Sequence, residues 1–241
     1  MIKRLLHAHI RGWTATFRMP LLYSGTGLTS PVPPYSTLIG MIGCMAGRDL
    51  LPQDVGKIGY IFNSESKAID LETTKRLSMN EKGEVGPNTR KGDGIARREF
   101  HVNPDLHLYL ENLDLRQFFE EPLNIPTIGR SQDICWMESV NEVYCESKDE
   151  GSVRGTLVPF PTNGATGLIL LLPDWFNNRT TGYTRSVGKL GRYQADLKYV
   201  IATNREAQLK VINLLRDLLV PDRENIQVAL AKEFLARPPA L

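Results

Sequence analysis

The sequence lacks the features that mark secreted, membrane and zinc-dependent proteins. Its three cysteines, Cys44, Cys135 and Cys145, have no two-residue spacing, and its few histidines do not cluster as in a zinc site. The start of the chain has no long apolar segment of the kind found in secretory signals. The longest apolar run, residues 168–172, stops at Pro173 and is too short to cross a bilayer. We therefore expect a cytoplasmic protein without cofactor, metal or membrane partner.

A large charge of one sign is also missing. The net charge is +2, which does not by itself indicate nucleic-acid binding. The 41% hydrophobic and 23% charged residues are typical of a soluble folded protein, so disorder is not expected. The 241 residues are enough for one large domain or two small ones.

The most informative segment is residues 19–48, in which a proline-rich stretch leads into a glycine-containing helix. Pro33 and Pro34 keep the chain extended, and Ser36 is the expected N-cap. The helix has one apolar face and a second stripe of small residues, formed by Ser36, Gly40, Gly43, Cys44 and Gly47. Because glycine disfavours helix, we expect something to lie very close to this stripe. Either a neighbouring element of the fold or a nucleic-acid backbone would fit.

Apolar alternation predicts strands along most of the chain. The first strand has Leu6, Ala8 and Ile10 on one face, opposite His7, His9 and Arg11. After Gly12 the apolar set changes phase to Trp13, Ala15 and Phe17, which predicts a bulge at Gly12. Further strands are expected at residues 57–62, 68–77, 95–110, 134–143, 156–160, 167–172 and 197–202.

Helices and loops complete the predicted order. Residues 114–121 should form a short helix before Pro122, and Thr203 with Glu206 predicts a capping box for a helix through residue 219. Asp222 begins a last helix or strand. Residues 78–94 are rich in glycine and charge, which predicts a mobile protrusion at the tip of a long hairpin. This order is typical of a ferredoxin-like, RRM-related α+β domain, placed at residues 1–122, followed by a smaller β-rich part at 123–241.

Several basic turns favour a single-stranded nucleic acid over a small metabolite. The protrusion has mixed charge, whereas the loop at residues 179–193 has only basic charges, interleaved with Tyr183 and Tyr193. The turn at residues 129–132 offers amides and a guanidinium to phosphate. Both loops also fit plain solvated segments. The predicted RNA-binding residues are Arg18, Tyr35, Ser36, Thr37, Gly40, Arg90, Lys91, Arg97, Arg98, Gly129, Arg130, Ser131, Gln132, Arg185, Lys189 and Arg192.

Catalysis has little support in the sequence. An imidazole of His7 or His9 would suit general acid–base chemistry, but these residues equally fit a polar strand face. Neither a Ser-His-Asp nor a Cys-His arrangement is recognisable.

Four sequence blocks resemble the CRISPR-associated Cas-five family, in particular its type I-B branch. They are FRMP at residues 17–20, PPYSTLIGMIG at 33–43, RREFHVNPDLHLYL at 97–110 and IGRSQDICW at 128–136. The likeness covers most of the first 140 residues, and the second and fourth blocks are its specific part.

The resemblance implies a non-catalytic subunit of Cascade, the RNA-guided DNA surveillance complex of antiviral defence. Such a subunit holds the 5′ handle of the crRNA and caps the backbone filament. Its partners would be the crRNA, the backbone subunit, the large subunit and target DNA near the PAM. The handle would lie against Tyr35, Ser36, Thr37 and the turn at 129–132, with residues 78–98 as the thumb.

One branch of the family, in type I-C systems, instead cleaves precursor crRNA without metal. In this chain His7, His9 or His101 with Tyr23 would be the candidates, although no lysine matches that constellation. A metal-independent endoribonuclease is therefore the alternative function, and an RRM-like module outside CRISPR systems is a third.

Overall fold

A computed structural model describes residues 2–19, 26–147, 150–177, 194–204, 206–210 and 219–221. The described chain is mainly β-structure with few helices. Its helices are α1 (Tyr35–Met45), α2 (Pro52–Val55) and α3 (Arg116–Glu120), with a 3-10 turn at Leu113–Leu115. Among these residues, none of the helices has the length and apolar character needed to span a bilayer.

The main sheet has five strands, of which the last is short and lies at one edge. They are β1 (Ile2–Gly12), β4 (Ile58–Asn63), β9 (Asp105–Leu110), β10 (Cys135–Ser147) and β16 (Leu219–Pro221). The order is β16-β10-β1-β9-β4, with antiparallel neighbours throughout. In the sheet, β9 thus lies between β1 and β4. In the chain, α1 lies between β1 and β4. β10 follows the predicted domain boundary in sequence but pairs with β1 from Cys135 to Glu146.

A long hairpin extends from a second sheet. Its arms, β5 (Ser66–Thr74) and β8 (Gly94–Val102), pair from Ser66–Val102 at the base to Thr74–Gly94. β6 (Leu77–Met79) and β7 (Val85–Pro87) pair with each other near the tip. β2 (Thr14–Ala15) and β3 (Thr26–Gly27) also join β8. The predicted hairpin is therefore present. Its first strand begins at Ser66, whereas the predicted thumb begins at residue 78.

The other described strands form two smaller sheets. β12 (Thr156–Pro159), β13 (Leu168–Asn177) and β14 (Gln194–Thr203) have the order β12-β14-β13, and β11 (Glu150–Val153) pairs with β15 (Ala207–Lys210). Helix α1 lies against β13.

The hydrophobic core lies between the main sheet and α1. Leu6, Ala8 and Ile10 of β1 are buried there, as the alternation predicts. They belong to one cluster with Leu38, Ile42 and Met45 of the helix. The same alternation in β9 buries Leu106, Leu108 and Leu110. The apolar faces predicted for β1, β9 and α1 are thereby confirmed.

The structure corrects two predictions near the first strand. The register of β1 against β10 shifts between His9 and Ile10, and Gly12 simply ends the strand. Trp13 does not join the core: it is 72% exposed and lies 5.5 Å from Trp136 between ring centroids. The phase change after Gly12 marks the passage of the chain to another sheet, where β2 pairs with β8.

The helix predicted at residues 203–219 is wrong where the structure describes it, because β15 and β16 are strands. The Thr203 hydroxyl does not cap a helix. It accepts from the Thr156 amide at 3.3 Å and donates to the Thr156 carbonyl at 3.0 Å, which joins β14 to β12. The element predicted from Asp222 lies outside the described residues.

Candidate functional site

The turn at residues 129–132 is held against the β5–β8 shaft of the hairpin by Arg130. Its guanidinium donates to Glu72 on β5 at 3.0 Å and to both Asp133 oxygens, at 3.1 and 3.2 Å. It also lies 3.7 Å from Asp70 and over the Phe100 ring. Acidic groups of the same chain therefore already neutralise this cation. The expectation that Arg130 binds phosphate stays a prediction, and such a contact would have to compete with these acidic partners.

The acids around Arg130 are ionised partners rather than free carboxyls. Burial acts to raise the pKa of Asp133, but hydrogen bonds from Arg130 and Thr14 hold it below its ordinary value. The pKa of Glu72 is lowered in the same way, against its burial, by Arg130 and Arg98. The Arg98 Nε lies 2.6 Å from Glu72. Arg130 thus stabilises the join between hairpin and body, whereas Arg98 pairs with Glu72 within the hairpin.

Gly129 makes this join possible. Its φ is +128°, and a Cβ there would lie 2.2 Å from the Thr16 carbonyl oxygen. Only glycine fits such a conformation at such a distance. Ser131 and Gln132, at the outside of the turn, are exposed. Gly129 is exposed as well, and Arg130 is partly exposed.

The hairpin carries most of the described exposed cations that were predicted to bind RNA. Arg90 and Lys91 lie near the tip, and Arg97 lies on the shaft, all exposed. Polar bonds join the two arms between the β5–β8 and β6–β7 ladders: Arg76 donates to the Lys91 carbonyl at 2.8 Å, and Lys75 pairs with Asp93. Arg18, outside the hairpin, is also exposed and bridges to Thr29. The residues Arg185, Lys189 and Arg192 lie outside the described part of the chain.

The N-cap of α1 is Pro34, not Ser36. The helix begins at Tyr35, and the Pro34 carbonyl accepts from the amides of Thr37 and Leu38 at 3.0 and 3.3 Å. Ser36 and Thr37 are partly exposed in its first turn. The Tyr35 hydroxyl instead points to the Leu157 carbonyl, 3.4 Å away. RNA contact by Tyr35, Ser36 and Thr37, all partly exposed, stays a prediction.

The stripe of small residues on α1 lines an open cleft. The cleft has a volume of about 530 Å³, and Asn124 and Phe176 contribute to its lining. Gly43 has an internal reason for its small size, because a Cβ there would lie 2.9 Å from the Arg48 carbonyl oxygen. A Cβ at Gly40 would meet none of the described atoms within 4 Å. Packing among the described residues thus explains Gly43 but not Gly40.

A second polar site lies on the sheet face opposite α1. His7 and His9 of β1 face Tyr109 and His107 of β9 in register, and Asp105 stands opposite Arg11. The His9 Nε2 lies 2.6 Å from Asp105 Oδ1, and the His7 Nε2 lies 3.1 Å from His107 Nδ1. The imidazoles of His9 and His107 are stacked, with centroids 4.2 Å apart. We call His7, His9, Asp105 and His107 the histidine cluster.

Burial sets the charge of this cluster. It lowers the pKa of His7 to about 3 and that of His107 to about 4, so both imidazoles are neutral at pH 7. Burial opposes ionisation of Asp105, but the hydrogen bond with His9 and nearby positive charge hold its pKa below the ordinary value. His7 was expected on a half-solvated face and is instead buried.

His101 belongs to another part of the molecule. Its Nε2 lies 2.8 Å from the Ser30 carbonyl and its Nδ1 lies 2.9 Å from Ser64 Oγ, with Phe17 and Phe62 around the ring. Both ring nitrogens are engaged and the side chain is buried, so His101 has a structural role. Tyr23, its predicted companion, lies outside the described residues.

Solved structures with a similar fold come from CRISPR complexes. A chain of a CRISPR RNA-guided surveillance complex has a TM-score of 0.51 and 12% identity, over 95% of this chain and 99% of that one. A chain of the type III-B Cmr-beta complex, solved with cognate target RNA and AMPPnP, has a TM-score of 0.51 and 11% identity, over 97% and 94%. The fold is one found in CRISPR RNA-guided complexes. Neither a family model nor a curated protein matches the chain.

Within this CRISPR-type fold, sequence reasoning missed Asp105 and His107 as site residues. Both lie in the RREFHVNPDLHLYL block, where they alternate with buried leucines. Asp105 and His107 are two residues apart, so both lie on one strand face. This spacing is the sequence signal that could have identified them. Their approach to His9 depends on the pairing of β1 with β9, which the sequence does not state.

Proposed function

We propose that this protein is a non-catalytic, RNA-binding subunit of a CRISPR effector complex, a type I-B-like Cascade. In this proposal it is a member of the Cas-five family and holds the 5′ handle of the crRNA. Its partners are the backbone subunit, the large subunit and target DNA near the PAM. The observation that carries the proposal is the fold likeness to CRISPR-complex chains over nearly the whole length of both.

The strand order supports the ferredoxin-like part of the proposal. β1, α1, β4, β9, α3 and β10 follow one another in the chain, and the sheet order β10-β1-β9-β4 places the two halves of a split βαβ unit side by side. The hairpin β5–β8 leaves this unit between β4 and β9, where a thumb would stand. These features agree with the resemblance carried by the four sequence blocks.

The exposed cations of the hairpin and the turn at residues 129–132 supply the proposed RNA surface. Arg90, Lys91 and Arg97 are exposed on the hairpin, and Arg130 joins the hairpin shaft to the turn that exposes Ser131 and Gln132. Lysine and arginine on an extended arm can neutralise successive phosphates of a single strand.

Equilibrium binding to repeat-derived RNA tests this surface. Replacing Arg90 and Lys91 with alanine should weaken the affinity and lower the slope of log affinity against log salt by about 0.7 for each lost phosphate contact. Arg116→Ala, which removes a cation on α3 whose side chain is 42% exposed, is the matched control and should change neither. Equal affinity of wild type and the double variant at every salt concentration would contradict the surface assignment.

A shuffled RNA of the same composition distinguishes the CRISPR proposal from a general RRM-like module. The CRISPR subunit should prefer the repeat-derived handle, whereas a general module should bind both RNAs equally. Indifference to the repeat sequence in the assembled complex would contradict handle recognition.

The alternative, cleavage of precursor crRNA, draws support from His9. It is the partly exposed member of the three predicted imidazoles, and Asp105 orients its ring through the 2.6 Å hydrogen bond, as a general base requires. Incubation of the protein with repeat RNA in EDTA tests it. Specific cleavage that His9→Ala abolishes would support the endoribonuclease, and intact RNA would favour the non-catalytic proposal.

A further inference from the structure

We propose that His9, Asp105 and His107 form a binding site for a divalent transition-metal ion such as Zn²⁺. The proposal is independent of the RNA-binding function. Each residue offers one ligand atom, and these atoms all lie within 4.8 Å of one another. Two imidazoles and one carboxylate are ligands that zinc accepts, with a fourth position left for water.

The distances suit a tetrahedral ion. Ligand atoms bound at 2.0–2.1 Å around zinc lie about 3.3 Å apart. The Asp105 Oδ1 is 2.6 Å from His9 Nε2 and 3.8 Å from His107 Nε2, values that lie on either side of this separation. The third separation, between the ligand nitrogens of His9 and His107, is no more than 4.8 Å, and the two stacked rings must rotate for both nitrogens to point at one ion.

His7 holds His107 in the orientation that metal binding needs. The His107 Nδ1 lies 3.1 Å from His7 Nε2, so the Nε2 of His107 is the nitrogen that faces Asp105. Zinc-bound histidines usually engage their second nitrogen in this way, which fixes the ring. His7 is buried and stacks on both His107 and Tyr109, which makes it a rigid support.

The site is open to solvent on one side. The side chains of His9 and Asp105 are 26% and 37% exposed, whereas that of His107 is 6% exposed. An ion can therefore enter from solvent past His9 and Asp105, and the buried His107 would be its innermost ligand. Asp105 supplies one negative charge, which compensates part of the charge of the ion.

Arg11 opposes the ion. It stands opposite Asp105 on β1, and its guanidinium contributes positive charge to the surroundings of that carboxylate. Removing this charge should tighten metal binding. The Arg11→Gln variant therefore tests the location of the ion by a gain rather than a loss.

Metal analysis of the tag-free full chain tests the proposal. After treatment with EDTA and dialysis against ZnCl₂, the protein should retain about one Zn²⁺ per chain. His9→Gln and Asp105→Asn should each weaken zinc affinity by roughly ten-fold or more, since even residues behind the ligands often contribute that much. Arg11→Gln should strengthen it. Asp93→Asn, which changes a carboxylate on the hairpin, is the matched control and should bind as wild type.

Thermal unfolding gives a second measurement that does not depend on dialysis. A hundred-fold excess of Zn²⁺ over its Kd should raise the Tm by about 5–10 °C. With a ten-fold loss of affinity the shift should fall to about 3–6 °C in Asp105→Asn, and the Tm of that variant without metal shows whether it folds. Zinc retained equally by wild type, His9→Gln and Asp105→Asn would overturn the proposal, as would failure of the wild-type chain to retain zinc.

Discussion

Replacing Gly40 with alanine separates an external close approach from packing within the molecule. Gly40 is exposed in the middle of α1, and an added Cβ would meet none of the described atoms within 4 Å. Alanine stabilises a helix by about 1 kcal/mol relative to glycine. The free energy of unfolding should therefore rise by about 1 kcal/mol, and the Tm by about 2–4 °C for a chain of this size.

Urea unfolding followed by circular dichroism measures this change, and RNA titration of the same samples measures binding. If the crRNA handle lies against the stripe, Gly40→Ala should be more stable than wild type and bind RNA more weakly. Gly43→Ala is the matched control: its Cβ would lie 2.9 Å from the Arg48 carbonyl oxygen, so it should lose stability. If Gly40→Ala is less stable than wild type, the space beside Gly40 is not open, and this reasoning is refuted. A stabilised variant with full RNA affinity would refute the approach of RNA to Gly40.

Three further predictions concern the body of the fold. Gly129→Ala should lower the free energy of unfolding by about 2–4 kcal/mol, because φ is +128° and the Cβ would meet the Thr16 carbonyl; an unchanged urea midpoint would contradict this. Arg130→Ala should cost about 3 kcal/mol, since it leaves the buried Asp133 without its cation, whereas exposed Gln132→Ala should change the stability by less than about 0.5 kcal/mol. Burial lowers the pKa of His101 below that of the unfolded imidazole, about 6.5, so the unfolded state binds more protons as the pH falls through this value. In EDTA the free energy of unfolding should therefore decrease below about pH 6.5, and less steeply in His101→Gln; stability that rises on acidification would contradict this.

Local periodicity was enough to predict much of the fold. The alternation of Leu106, Leu108 and Leu110 identified β9 and its buried face, and α3 ends before Pro122 as expected. In these segments the neighbours along the chain decide the structure, because burial of one face and the stop at proline are local effects. Tertiary pairing then overrode the local signal at Thr203, whose hydroxyl bonds to β12 instead of capping a helix.

Local signals were less successful for the candidate sites. The acidic partner of Arg130 at Asp133 is three residues away, but Glu72 is 58 residues away and is brought close by the hairpin. His9 and Asp105 are 96 residues apart and meet because β1 pairs with β9 in one register. The sequence placed His9 on the polar face of the first strand. The partner of His9 required the sheet order, which a periodic pattern does not contain.

Ultraviolet cross-linking of the native complex, followed by mass spectrometry of the peptides bound to crRNA, tests the central claim most directly. The complex would be purified through another subunit, so that this protein is present only if it assembles. The account predicts that peptides containing Arg90 and Lys91, or Ser131 and Gln132, carry nucleotides of the 5′ handle. A complex whose handle cross-links to other subunits but to no peptide of this protein would contradict it.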